Sequence, residues 1–166
     1  MLSCQTLVEC SSRGLSLGAK SLIRKEGLKL IGINKIDHIC IAVRDLPKAM
    51  KQWGPFFGKS KPDLEYTHED EAIQVARYYV GEVGFELMCS TREGSDVDNF
   101  IKKRGEGVML ISFKVPDTVS AIETLENNHY EMIDQKPRFW EDSRYAFLKP
   151  GPMNGVLVEV IDGGDE

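Results

Sequence analysis

Residues 36–50, IDHICIAVRDLPKAM, decide the fold, because residues 108–122, VMLISFKVPDTVSAI, read the same way. At an offset of 72, Ile39 falls on Ile111, Ile41 on Phe113, Val43 on Val115, Asp45 on Asp117 and Ala49 on Ala121. Each segment begins with larger apolar residues at every second place, the period of a strand. Each then turns at an aspartate placed to cap a helix. Leu46, Ala49, Met50 and Trp53 follow helical spacing, as do Val119, Ile122 and Leu125. Gly58 and Asn128 stand near the helix ends, where a left-handed residue often stops the helix.

The closing strands repeat as well. Residues 83–88, VGFELM, lie on residues 156–161, VLVEVI, at an offset of 73, so Glu86 falls on Glu159. Between each helix and its last strand there is room for two more strands, best matched by AIQVARYYV (72–80) and SRYAFLKP (143–150). The expected fold is therefore α+β, two tandem βαβββ modules building one curved mixed sheet around a cavity. The modules are expected at residues 35–90 and 107–163, after an extension over 1–34. A linker over 91–106 joins them, with Ser95 placed to cap a helix and Gly105 to stop it.

Side-chain alternation then brings polar groups together. In the first strand Ile39, Ile41 and Val43 share the helix-facing side, and His38, Cys40 and Ala42 face the other way. Glu86 points away from Val83, Phe85 and Leu87, and Glu159 away from Val156, Val158 and Val160. A charge centred in an apolar strand is costly to bury unless it is paired, bonded or metal-bound. A lone strand histidine is more often a satisfied core residue, and a lone glutamate usually faces solvent. Their equivalent positions in two repeats favour one shared cavity, and one imidazole with two carboxylates suits a divalent ion. Cys40 lies on the same face, two residues from His38, and could help hold the ion, although a buried structural thiol is usually inert. His68, in YTHEDEA, and His129, after a helix, are expected at the surface.

Composition narrows the partners. Formal net charge is -5, which lacks the basic footprint of a nucleic-acid binder. No apolar run approaches the roughly 20 residues that cross a bilayer, so no membrane partner is expected. Cys4, Cys10, Cys40 and Cys89 form no C-x-x-C pair, and scattered thiols fit a reducing, cytoplasmic setting. Residues 1–30 are basic and Ser-rich, which also allows a transit peptide to mitochondria or another organelle.

The motifs resemble a known family. IDHICIAVRDLPKAM is similar to the opening of methylmalonyl-CoA epimerases and glyoxalase I enzymes, within the vicinal oxygen chelate superfamily. VGEVGFELMCS, SDVDNFIKKRGEGV and GVLVEV resemble their later segments, so the likeness covers residues 35–162. It implies a metal site with one ligand from each of four strands: His38, Glu86 and Glu159, with a histidine just after Gly-Glu-Gly. This chain reads GEGVMLISF there, so Leu110 stands at the ligand position. The repeat agrees, because His38 pairs with Leu110.

The resemblance also implies two carboxylates that move an α-proton. Glu159 is one, the expected catalytic residue, while the other would fall near Gln74 or Val75. The loop before YAFLKP, glycine-rich in the family, carries Phe139 and Trp140 here, which either pack on the rim or reshape the pocket mouth. Gln74, Tyr78, Leu110, Phe139 and Trp140 are expected to line the substrate pocket. The function expected is an epimerase-like or glyoxalase-like isomerase or lyase acting on a small carbonyl compound or acyl thioester through an enolate. Its divalent ion (zinc, cobalt, nickel or manganese) would be held more weakly than in a complete site. The alternative is a metal-free small-molecule binder without turnover. An oxygenase needs two histidines and a carboxylate on iron, and ranks last. A homodimer is implied by the resemblance alone.

Overall fold

The computed structural model describes residues 29–164. The transit-peptide reading of residues 1–30, like Cys4 and Cys10, falls almost wholly outside them. In chain order the elements are β1 (Lys35–Ala42), α1 (Leu46–Phe56), β2 (Leu64–His68), β3 (Ile73–Val80), β4 (Val83–Ser90) and α2 (Asp96–Arg104). Then come β5 (Gly107–Lys114), α3 (Thr118–Asn127), β6 (Arg138–Trp140), β7 (Ser143–Leu148) and β8 (Leu157–Asp162). The eight strands form one mixed, curled sheet in the order β2-β3-β4-β1-β5-β8-β7-β6. Each half is therefore the mirror sequence of the other about the β1/β5 seam. β1 runs parallel to β4, β5 parallel to β8, and β1 antiparallel to β5. Ile39 lies opposite Ile111 across that seam. Because the repeat offset also equates these two residues, the modules are related by an approximate two-fold axis through this pair.

Helix boundaries follow local chemistry. Asp45 accepts a hydrogen bond from the Lys48 amide, and Asp117 from the Ser120 amide, so each satisfies an amide that the first helical turn leaves unpaired. Ser95 caps α2 through the Asp98 amide. The left-handed residue after α3 is His129, φ 64°, and not Asn128, which stays at φ -90°. Gly58 takes φ 71° after α1, as expected of it.

Both helix-facing sides bury apolar residues. Ile41, Val43, Leu46, Ala49, Ala76, Tyr78 and Leu87 pack α1 on the first half. Val115, Ala121, Ile122, Leu125, Ala146, Val158 and Val160 pack α3 on the second. The opposite face is concave. There Val97 and Ile101 of α2 pack on Cys40, Ala42, Val75, Met88 and Leu110, so the linker helix seals one end of the cleft. The outer strands approach each other across the opening. His68, ending β2, stacks on Trp140 of β6 with ring centroids 3.8 Å apart. No helix among the described residues is long and apolar enough to cross a membrane.

Candidate functional site

The concave face holds a cleft of about 1240 Å³ lined from all eight strands. Register decides which side chains enter it. His38 pairs with Ser112, Ser112 with Glu159, and Arg77 with Glu86, so these four polar positions and His38 share one face. His38, Glu86 and Glu159 are all buried at its floor. His38 Nε2 lies 3.3 Å from Glu159 Oε2 and 3.7 Å from Glu86 Oε2. His38 Nδ1 lies 2.8 Å from Asp37 Oδ2. Glu86 is the hub: Cys40 Sγ donates to its Oε2 at 3.0 Å, and Tyr66 Oη and Arg77 Nε donate to its Oε1 at 2.7 Å. Glu159 is held differently. Its Oε2 and the Ser112 Oγ are buried with no hydrogen-bond partner.

Charge follows this geometry. Burial alone would push the His38 imidazole down, but Glu86, the bond to Asp37 and Glu159 outweigh it and hold the group at about 9. Burial opposes ionisation of Glu86 too, yet His38 and Arg77 hold it down at about 2. Glu159 goes the other way, raised chiefly by burial, with His38 only partly compensating. Burial beside Glu86 keeps the Cys40 thiol well up. The floor therefore combines a charged imidazole, an ionised carboxylate and a more basic one.

Several expected positions need correction. Gln74 and Tyr78 do not line the cleft, because strand alternation turns them to the helix-covered side, where Tyr78 is buried against α1. Of the pair Gln74 and Val75, it is Val75 that faces inward, within the apolar cluster around Leu110. Phe139 is 71% exposed and off the cleft, since it alternates outward from Arg138 and Trp140 on the edge strand. Leu110 and Trp140 do line it. His68 is a buried wall residue and not a surface one, covered by Trp140, with Nε2 3.4 Å from Tyr145 Oη. His129 is exposed.

Sequence reasoning missed Arg77, Tyr66 and Tyr145. Arg77 was detectable: it is a charge inside the apolar run VARYYV, the same signal that singled out Glu86. Tyr66 and Tyr145 carried no such signal, since tyrosine is common in strands. As for metals, the donor atoms of His38, Cys40 and Glu86 all lie within 4.8 Å of one another, a group that could hold an ion.

A two-fold-repeated βαβββ sheet curled around buried histidine and carboxylates defines the class, and comparison agrees. The chain belongs to the Glyoxalase/Bleomycin resistance protein/Dioxygenase superfamily, whose profile matches residues 37–147. It is similar to the mitochondrial methylmalonyl-CoA epimerase of Dictyostelium discoideum, 32% identical over 136 residues, covering 78% of this chain and 79% of that protein. It is 31% identical to the uncharacterised protein YqjC of Bacillus subtilis, across 78% of this chain and 93% of that one. Among solved structures, a Streptomyces coelicolor methylmalonyl-CoA epimerase variant in complex with 2-nitronate-propionyl-CoA superposes with a TM-score of 0.75 at 26% identity. That match covers 81% of this chain and 97% of the other.

Proposed function

We propose that the cleft binds a small carbonyl compound or acyl thioester and that Glu159 removes a proton from the carbon beside the carbonyl. The observation that carries this is the Glu159 carboxylate itself: buried, with Oε2 outside any hydrogen bond and 3.3 Å from the His38 imidazole, raised in basicity, and facing the cleft. A base near the working pH is what such proton transfer needs. The negative charge that develops on the substrate oxygen meets the His38 imidazolium, 3.3 Å from Glu159 Oε2, with Arg77 behind it. His38, Glu86 and Glu159, with Cys40, are the residues that would hold a divalent ion. Such an ion supplies polarisation of a carbonyl oxygen. Glu86 itself is braced by Arg77 and Tyr66 and serves as a fixed anion.

Similarity to methylmalonyl-CoA epimerases supports an isomerase of this kind. Val75 stands on the cleft face where the second carboxylate is expected, so Glu159 works from one side. A single base suits a proton shift or exchange on one face of the enolate better than two-face epimerisation. The test is deuterium uptake from D2O at the α-carbon of a methylmalonyl thioester and of a glyoxal-derived hemithioacetal. Wild type is expected to exchange one of them, and Glu159→Gln to slow it by about 100-fold or more. Tight binding of both without exchange would leave the cleft a binding site, the reading favoured by Leu110 and by the Arg77 clamp on Glu86.

A further inference from the structure

We propose that Cys40 is a metal ligand, completing a His38–Cys40–Glu86 group flanked by Glu159, in place of a ligand at position 110, and turning the site toward thiophilic ions such as zinc and cobalt. The proposal concerns the same cleft but not its substrate, and it stands or falls without turnover.

Register is the first ground. Cys40 lies directly opposite Leu110 across the β1/β5 seam, on the cleft face, two residues from His38. The strand pair that cannot supply a donor at 110 supplies one at its neighbour. Distance is the second. Around a tetrahedral ion with bonds of about 2.0–2.3 Å, adjacent donors stand roughly 3.3–3.8 Å apart. His38 Nε2 is 3.3 Å from Glu159 Oε2 and 3.7 Å from Glu86 Oε2. Cys40 Sγ is 3.0 Å from Glu86 Oε2, joined now by the thiol hydrogen that an ion would replace.

Orientation is the third ground. The outer atoms of these side chains are already held: His38 Nδ1 by Asp37, and Glu86 Oε1 by Tyr66 and Arg77. Partners of this kind aim first ligands at a metal. That leaves His38 Nε2 and Glu86 Oε2 directed toward Cys40 and Glu159. The flanking carboxylate has room for a further partner. Glu159 is 5% exposed, and its Oε2 makes no hydrogen bond, meeting the His38 imidazole as an ion pair at 3.3 Å. On binding, the Cys40 S–H and His38 Nε2–H bonds break, sulfur–metal and nitrogen–metal bonds form, and both protons leave to buffer, with no change of oxidation state.

The experiment is cobalt(II) titration of the reduced full chain, followed by near-ultraviolet and visible absorption, with zinc and manganese affinities from competition. Wild type should show thiolate-to-cobalt charge transfer, and a Cys4→Ser, Cys10→Ser, Cys89→Ser variant should keep it. Cys40→Ser should lose the band and weaken zinc by at least the roughly 10–100-fold that loss of an outer-shell partner costs, while manganese affinity holds. Cobalt bound to wild type without that band, or no zinc or cobalt binding at all, overturns the proposal. So does a band that survives Cys40→Ser or vanishes in the triple variant. Should Cys40→Ser fail to fold, the wild-type and triple-variant spectra still decide.

Discussion

At the scale of single residues, the floor of the cleft is a problem in placing charge. His38 is buried, which by itself disfavours its cation, and three carboxylates around it reverse that preference. The consequence is a pH dependence with a definite sign. A folded-state value of about 9 lies above the ordinary 6.5, so the charged imidazole contributes stability that is fully present below pH 6.5. That contribution is lost as pH rises through about 9. In metal-free protein, the stability gap between wild type and His38→Gln should be widest in mildly acid solution and should close as pH approaches and passes 9. Thermal unfolding across pH measures it. A gap that stays constant would mean the imidazole is neutral in the folded state. Glu86 and Glu159 could be picked out from the sequence because a charge in the middle of an apolar strand is rare. Their opposite states could not. Glu86 is ionised by His38 and Arg77 together, whereas for Glu159 burial outweighs what His38 and Ser112 offset.

At the scale of elements, strand period carried most of the information. It separated the helix-facing rows of β1, β4 and β8 from the cleft-facing rows, and the structure has the same separation. It was less informative where the strands are short or at the edge. β6 has three residues, and which of Phe139 and Trp140 turns inward depends on its pairing with β7. β2 and β6 are the two ends of the sheet, yet they meet through His68 on Trp140, and Arg138 Nη1 bonds Glu71 Oε1 at 2.7 Å. These contacts tie together two edges that would otherwise open locally. Trp140→Ala should therefore speed amide hydrogen exchange in β2 as well as in β6, by roughly tenfold, a loss of about 1.4 kcal/mol of local protection. β1 and β5 at the centre should be unchanged. Faster exchange confined to β6 would show that the edges do not brace one another.

At the scale of the whole molecule, charge bears on the ligand. Nine carboxylates and three Lys or Arg side chains line the cleft and its mouth. A polyanionic CoA thioester meets net repulsion there, while a pantetheine thioester with the same acyl group carries no phosphates. Raising ionic strength toward 0.15 M, where the screening length is about 8 Å, should strengthen binding of the CoA form several-fold and leave the pantetheine form unchanged. Calorimetry at two salt concentrations tests this. Weaker CoA binding at higher salt would mean that cations outside the cleft receive its phosphates.

The sequence by itself determined the duplicated fold, its element order, and the convergence of His38, Glu86 and Glu159. Repeats and strand alternation are local, periodic properties, and chain symmetry then places equivalent positions around one cavity. Only the tertiary structure decided what surrounds them. That Cys40 faces Leu110, that Arg77 and Tyr66 clamp Glu86, and that His68 lies under Trp140 all depend on which strands become neighbours and in what register. Those pairings join residues far apart in the chain, such as His68 and Trp140. The hydrogen bonds and burial that set each group's charge exist only once the sheet has curled.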